Sequence, residues 1–493
     1  MPLQIPSFPC PGANKREPEA EEDGQVAPDA EEEATGGDEG AGDEPPELLE
    51  LIDDLEANRK EASALASTVR SLGRRLRLSP EDRDNLSDFE GIALICDAMK
   101  HHSWRGEAML ALCSAMPDLC RLSTINRGAF RDGGALDATV ELLRAGISES
   151  DVTLATAASI SLTALCTGND GNKKAAAALR GEFNEEELVE TDADYRTPLF
   201  KAPDRSGALQ LLLEALAHFA DSVPLQTHGC AALRCLLCDD DSRQASCVPS
   251  AVENRELAVN DKNFSTYRKA VERALFLEAS GPAQLRLREQ AMLLLREISC
   301  RQDRIHELVF EAKLLPSIED ALGNGDERVV RASLAVIRAF AFSDDLKEQL
   351  AVLSNVAAQC VVAVRRHFEH PSICEQAFGL FANLTMRKSH IASKLNGPEF
   401  RVIAVGFMVL EKHKQKPTTV RSVLQTIRNV ATQDEAAALE VKESELFSEM
   451  QELVVEKQGN DKWRSPVEIA KQFLREFRED EGIRKPAAWN EFY

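Results

Sequence analysis

The chain has 493 residues, of which 43% are hydrophobic and 28% are charged, so most of it can bury a core. Aromatic residues make up only 5%, which favours helices packed through Leu and Ala over a sheet sandwich. The 82 Asp and Glu residues outnumber the 58 Lys and Arg residues, and the formal net charge is −24. Because a chain of this sign repels a phosphate backbone, we expect no nucleic-acid partner.

The N-terminal stretch MPLQIPSFPCPGANKR lacks the apolar run of a secretory signal. The longest apolar stretches, at 356–364 and 402–410, fall far short of the ~20 residues that span a bilayer. The 12 cysteines are scattered and not spaced as a small disulfide framework. We therefore expect no membrane partner and a reducing compartment, the cytoplasm or the nucleus.

Residues 1–46 differ from the rest of the chain. From Lys15 to Pro46 there are 13 acidic residues against two basic ones, with almost no large apolar side chains. Such a segment cannot bury enough surface to offset its ordering entropy, so we predict a disordered acidic region. A helical domain is predicted over 47–480, followed by a C-terminal tail over 481–493.

One helical segment type recurs between 108 and 477. Small or apolar residues at helical spacing lead to a large apolar anchor, and Asp, Asn or Ser follows at the position that suits the N-cap of the next helix. The anchors are Leu112, Leu162, Leu233, Leu295, Ile337, Phe381, Ile427 and Leu474. The last four intervals, of 42 to 47 residues, match the ~40–47-residue period of helical repeats. The two longest intervals hold insertions, near 181–206 and near 247–262.

A second recurring element lies between anchors: GALDATVELLRAG at 134–146, GALQLLLEALAHF at 207–219 and KLLPSIEDALGNG at 313–325. Gly or Pro interrupts the preceding helix there, and an apolar helix follows. No such unit can bury its apolar faces alone, whereas stacked neighbours can, which predicts an α-solenoid. A bundle of unrelated hairpins is the alternative, and the regular period argues against it.

Glycine before Ala-Leu, a Leu-rich helix, a polar turn and a helix of the type ALxxLxN together resemble the armadillo repeat over 108–477. Four segments resemble one poorly characterised intracellular branch of that family: ALRCLLCDDDSR (232–243), VIRAFAFSDDLKE (336–348), HPSICEQAFGLFANLTMRKS (370–389) and TIRNV (426–430). The resemblance implies an all-α, right-handed solenoid of about eight repeats. It also implies a protein without catalytic activity.

In the armadillo family the last helix of each repeat lines a concave groove, and an Asn two places after the anchor commonly binds the backbone of an extended peptide. Asn383 and Asn429 match that position here. The resemblance therefore implies that these two residues contact a peptide partner. The alternative is that both side chains cap or bridge neighbouring helices, since most side-chain hydrogen bonds go to backbone groups.

One place after the anchor, arginine recurs in five of the eight repeats: Arg234, Arg296, Arg338, Arg428 and Arg475. A row of guanidinium groups suits carboxylate-rich ligands through bidentate hydrogen bonds. One candidate ligand is the chain's own acidic N-terminal region. The alternative is that each arginine pairs with an acidic residue of the adjacent repeat.

Five residues have the chemistry of metal ligands: His228, Cys230, Cys235, Cys238 and Cys247. They include a single C-x2-C without a matching second pair, which is weak support for a zinc site. We predict that no metal binds there. The chain also lacks a phosphate-binding Gly-rich loop, a G-x-S-x-G elbow and an H-E-x-x-H motif, so we predict no cofactor and no catalytic site.

These observations favour a non-catalytic scaffold or adaptor. We expect it to bind another protein, or an extended acidic peptide segment, along an armadillo groove with the arginine and asparagine positions above. The alternative function is a cofactor of Hsp70-type chaperones, because armadillo-like solenoids also act as nucleotide-exchange factors.

Overall fold

The computed structural model describes residues 46–88, 90–102, 106–178, 207–238, 261–276, 281–299 and 314–477. The predicted disordered region lies outside these residues except for Pro46, and so does the predicted tail over 481–493. Of the two predicted insertions, only residues 261–262 are described.

In these residues all the regular secondary structure is helical. The α-helices are α1 (Leu48–Asn58), α2 (Ala62–Leu78), α3 (Pro80–Asp88), α4 (Gly91–His101), α5 (Glu107–Leu119), α6 (Thr124–Asp132), α7 (Ala135–Ser148), α8 (Val152–Cys166), α9 (Asp170–Ala178), α10 (Ala208–His218), α11 (Val223–Leu237), α12 (Asp261–Phe276), α13 (Pro282–Ser299), α14 (Leu314–Leu322), α15 (Glu327–Phe340), α16 (Asp344–Glu348), α17 (Val356–Arg366), α18 (Pro371–Thr385), α19 (Ser389–Asn396), α20 (Val402–His413), α21 (Pro417–Ala431), α22 (Glu435–Glu443), α23 (Leu446–Lys457) and α24 (Arg464–Glu476). None of them combines the length and apolarity needed to cross a bilayer.

Eight repeats follow the N-terminal hairpin of α1 and α2, and a complete repeat has three helices. The last helices of these units, which we call the third-helix row, each pack against the next one: α2, α5, α8, α11, α13, α15, α18, α21 and α24. The helices that precede them form the second-helix row: α1, α4, α7, α10, α12, α14, α17, α20 and α23. The predicted all-α solenoid of about eight repeats is thereby confirmed.

The anchors lie at the centre of one hydrophobic core that extends from Leu48 to Phe477. Seven of the eight are fully buried. In the last repeat the fully buried residue is Phe473, while Leu474 is only partly buried against the core. The prediction for that repeat was wrong by one residue, because Phe and Leu stand side by side and spacing alone does not separate them.

Polar residues cap helices on both sides of the anchors. After an anchor, as the sequence predicts, Ser123 accepts a hydrogen bond from the backbone N–H of Asn126 in α6 at 3.2 Å, and Asn169 accepts one from that of Asn172 in α9 at 3.0 Å. Other caps precede the anchor helix. Asp151 accepts hydrogen bonds from the backbone N–H groups of Thr153 and Leu154 at the start of α8, at 2.9 and 3.2 Å. Asp326 caps α15 and Asp434 caps α22 in the same way. These bonds satisfy backbone groups that a helix leaves unpaired at its N-terminus.

Histidines at the ends of three second-row helices join their repeats to the preceding ones. His102 Nε2 lies 2.8 Å from the carbonyl oxygen of Arg59, and His413 Nε2 lies 2.8 Å from that of Phe368. His218 Nε2 contacts the hydroxyl of Ser150 at 2.9 Å. The imidazoles thus bind groups in the turns between second and third helices, where the backbone is not paired within a helix.

We predict that Phe381→Ala lowers the free energy of unfolding by about 3–5 kcal/mol, because it leaves a cavity in a fully buried site. Phe381 also packs edge-to-face against Phe378, with ring centroids 5.7 Å apart. The matched control is Phe342→Ala, which removes a ring that is 72% exposed and should change stability by less than about 0.5 kcal/mol. Urea denaturation of both variants measures the difference, and equal losses would contradict the assigned core.

Candidate partner-binding surface

The two helix rows carry opposite charge. The third-helix row has 16 Lys and Arg residues against eight Asp and Glu residues, a net charge of +8. The second-helix row has 10 basic against 16 acidic residues, a net charge of −6. A chain with an overall charge of −24 therefore presents a basic stripe along one row of helices.

Arg428 is engaged in a contact between repeats. Its Nε donates to Glu476 Oε2 at 2.7 Å, and its Nη2 donates to Glu476 Oε1 at 2.5 Å. Both side chains are only 20% exposed. This bidentate ion pair joins α21 to α24, as the structural alternative for the arginine row anticipates.

Arg338 lies across the neighbouring third helix. Its Nη1 donates to Gln376 Oε1 at 3.1 Å. A Cβ built on Gly379 would lie 2.6 Å from the guanidinium carbon of Arg338, so only glycine leaves room for this close approach. The guanidinium lies against α18, and among the described residues no carboxylate forms a salt bridge to it.

A group of three arginines surrounds this position. Burial lowers the pKa of Arg338, Glu375 raises it, and the positive charges of Arg421 and Arg296 lower it further. Arg421 is exposed and has no ion-pair partner in the part of the chain that the structure describes. Arg296 is 45% exposed, and its only ion pair among the described residues is a 3.5 Å contact with the adjacent Glu297. The guanidinium groups of α13 and α21 thus lie near enough to Arg338 of α15 to influence its pKa. We call Arg296, Arg338 and Arg421 the arginine cluster.

Arg234 belongs to a different group near the middle of the chain. Its charge acts on the buried carboxylate of Glu289, together with those of Arg331 and Arg328. Arg331 Nη2 lies 3.4 Å from Glu289 Oε1. Burial raises the pKa of Glu289, and the three arginines oppose that effect. These residues connect α11, α13 and α15, a structural role.

Arg475 lies on the exposed surface of α24 and forms no ion pair with another described residue. Because Phe473 is the buried residue of that repeat, Arg475 follows it by two places instead of one. It is therefore rotated by about 100° from the position of the other arginines in the row. The structure does not bring it into the arginine cluster.

The two asparagines bridge successive third helices. Asn383 Nδ2 donates to the carbonyl oxygen of Arg338 at 3.3 Å, and Asn429 Nδ2 donates to that of Ala382 at 2.9 Å. Gln425 in turn donates to Asn429 Oδ1 at 2.7 Å. Asn383 Oδ1 forms no hydrogen bond within the described ranges, so this oxygen is available to accept one from a ligand.

The candidate metal ligands do not converge. Cys230 is fully buried, and burial raises the pKa of its thiol to about 12. Cys235 Sγ instead contacts the carbonyl oxygen of Thr163 at 3.7 Å. Cys247 lies outside the described residues. Within those residues no three His, Cys, Asp or Glu side chains are placed to share an ion.

Sequence reasoning missed Arg421, Gly379 and Gln376, three members of this surface. Arg421 stands two helical turns before Arg428 on the same helix, so a search for arginine at every seventh position would have found it. Gly379 and Gln376 give no signal in a single sequence, because their role depends on an arginine that comes from the preceding repeat.

No protein-family model matches the chain. It is similar to armadillo repeat-containing protein 6 from Pongo abelii and from Homo sapiens, each 26% identical over 219 residues. The match covers 43% of this chain and 39% of each relative, so the chain spans well under half the length of the curated relatives it matches.

The chain also resembles a solved structure from a study of a phosphorylation switch that controls the interaction between cadherin and beta-catenin. The TM-score is 0.55 at 16% identity, covering 88% of this chain and 76% of the other. Together with the three-helix repeats, these similarities identify the fold as an armadillo-repeat α-solenoid. The resemblance expected from the sequence is confirmed.

We predict that Arg428→Gln and Arg296→Gln differ in stability. Arg428→Gln leaves the Glu476 carboxylate without its bidentate partner and should lower the free energy of unfolding by about 1–2 kcal/mol. Arg296→Gln removes an exposed charge and should change it by less than about 0.5 kcal/mol. Thermal melts of both variants measure this. If Arg296→Gln were the more destabilising change, Arg296 would be a structural residue.

A second prediction concerns His228. Burial and the charge of Arg286 lower its pKa from 6.5 to about 4 in the folded chain. As the pH falls from 6.5 to 4, the unfolded chain takes up a proton there and the folded chain does not, so stability falls with pH. We expect the free energy of unfolding of His228→Gln to fall by about 2–3 kcal/mol less than that of the wild type between pH 7 and pH 4. The exposed His101→Gln serves as control, and melts from pH 7 to pH 4 that run parallel in both variants would contradict the assignment.

Proposed function

We propose that this armadillo-repeat chain is a non-catalytic protein-binding module whose third-helix row binds an extended acidic segment of a partner protein. The observation that carries the proposal is the charge of the row, +8 in a chain of −24. Complementary charge raises the rate of encounter and selects partners by the sign of their charge. The proposed ligand is therefore rich in Asp, Glu or phosphate groups.

The arginine cluster is the proposed centre of binding. Arg428 is paired with Glu476, and the charge of Arg234 acts on the buried Glu289, whereas the exposed Arg296 and Arg421 have charge to offer a ligand. Arg338 is already held by Gln376 and Gly379 and loses little freedom on binding. A guanidinium fixed in this way supports bidentate recognition of carboxylate or phosphate at a lower entropic cost.

The geometry indicates the length of the ligand. Four successive third helices carry the site, namely α13, α15, α18 and α21. Helices in contact are about 8–10 Å apart, so the site measures roughly 24–30 Å. An extended peptide covers that distance with about seven to nine residues. The free Oδ1 of Asn383 lies within this span and can accept a backbone N–H of the peptide.

The similarity of fold supports the proposed protein-binding function. The solved structure with a TM-score of 0.55 comes from work on an interaction between two proteins, cadherin and beta-catenin. A solenoid with long parallel helix rows offers an extended surface to a partner chain. For this chain the proposal names the chemical class of the partner, an acidic segment, and no individual protein.

The test uses a fluorescently labelled 12-residue peptide of alternating Glu and Ala, with a Gln-for-Glu peptide as the neutral probe. We expect the full chain to bind the acidic peptide and not the neutral one, with affinity falling as salt rises. Arg296→Glu with Arg421→Glu should weaken binding at least about tenfold, since two charge-assisted contacts are reversed.

The matched control is Lys269→Glu with Lys442→Glu, which changes the net charge equally at exposed lysines outside the third-helix row. It should change the affinity by less than about twofold. Equal weakening by both double variants would show attraction by net charge alone. Equal binding of the acidic and neutral peptides would refute the proposal.

A further inference from the structure

The N-terminal end of the third-helix row carries a second group of arginines. Helix α2 contains four arginines and no acidic residue: Arg70, Arg74, Arg75 and Arg77. Arg75 is paired with Asp82 at 2.5 Å, with both side chains less than a quarter exposed. Within the described ranges Arg70 has a single ion-pair contact, 3.8 Å from Glu107, in which both side chains are more than half exposed. Arg74 is exposed and has no ion-pair partner among the described residues.

The chain enters the fold beside this helix. Helix α1 begins at Leu48, and a three-residue turn over 59–61 connects it to α2. Because so short a turn joins two helices that pack against each other, the helices run antiparallel. Because α1 has 11 residues and α2 has 17, the start of α1 lies next to the second half of α2. Arg74 is found there, together with Arg77, which is paired with Asp118 of α5 at 3.4 Å. The 13 acidic residues between 17 and 44 are attached at this point.

The other face of the hairpin repels an acidic segment. Helix α1 presents Glu50, Asp53, Asp54 and Glu56 on its exposed side and has no basic residue. Negative charge continues along the second-helix row, whose net charge is −6. Of the two faces beside the attachment point, only the third-helix row attracts negative charge.

The acidic segment is long enough to contact the third-helix row. Asp43 and Glu44 precede the start of α1 by four or five residues, which an extended chain covers with about 13–17 Å. A short attachment gives a local concentration in the millimolar range, so weak contacts are occupied. Farther back, residues 17–33 can extend by roughly 40 Å or more, the distance from α2 to α13 at four helix spacings.

We infer that residues 17–44 bind in cis to the N-terminal end of the third-helix row, first at Arg70 and Arg74 of α2. From there the segment runs toward the arginine cluster and competes with the acidic partner. This rests on the proposed function, because it names a ligand for the same basic row. The chain thereby regulates access to its own binding surface, and the partner must outcompete a tethered segment of like charge.

The test uses full-length chains. One variant replaces the 13 acidic residues between 17 and 44 with Gln or Asn. If the segment competes in cis, this neutralised chain should bind the acidic Glu-Ala peptide about fivefold or more tightly than the wild type at low salt, and the difference should shrink at high salt. Equal affinity of the two chains would overturn the inference, even where the proposed function holds.

The second arm locates the contact. A labelled peptide of residues 15–46 should bind the neutralised chain in trans. Arg70→Glu with Arg74→Glu in that chain should weaken this binding at least about fivefold, and Lys269→Glu with Lys442→Glu by less than about twofold. Undiminished binding to the Arg70/Arg74 variant would overturn the assigned site. Failure of the 15–46 peptide beside successful binding of the Glu-Ala peptide rejects only this inference, whereas failure of both peptides rejects the proposed function as well.

Discussion

Stacking of each repeat on its neighbour is the constraint on which the rest of this structure depends. A single repeat cannot bury its apolar faces, so every anchor from Leu112 to Phe473 is covered by the adjacent unit. Polar side chains reinforce each junction by binding carbonyl groups one repeat away. Asn172 binds the carbonyl of Arg127, Asn429 that of Ala382, and His413 that of Phe368. Backbone groups between repeats are thereby paired and not left buried without partners.

The same constraint divides the conspicuous side chains into structural and available ones. Arg428 completes a junction through Glu476, and the charge of Arg234 acts on the buried Glu289, so both charges contribute within the stack. In the part of the chain that the structure describes, Arg296 and Arg421 form no ion pair with another repeat. A binding surface on this solenoid therefore consists of the side chains that take no part in contacts between repeats. That explains why a regular arginine column along the sequence does not become a regular column of binding groups.

Much of the fold and less of the surface could be predicted from the sequence. Repeat length, anchors and caps depend on neighbours within one helix or turn, so Phe381 and Asp434 were recognisable. The sequence pattern predicts Leu474 as the buried anchor, whereas Phe473 is the buried residue, because two adjacent apolar residues satisfy one spacing equally well. Arg338 was found by position, but its support by Gly379 was not, because the glycine belongs to another repeat.

By itself the sequence determined that this protein is an acidic chain of stacked helical repeats with arginines at recurrent positions. Helical periodicity and composition are local properties, and a period near 44 residues leaves few alternatives to a solenoid. Tertiary structure alone decided which arginines are engaged with carboxylates of the next repeat and which stay free. It also decided that basic residues scattered over 400 positions share one row of helices. The physical reason is that pairing of charges depends on distance in space, which the rotation of each helix and the offset between repeats set.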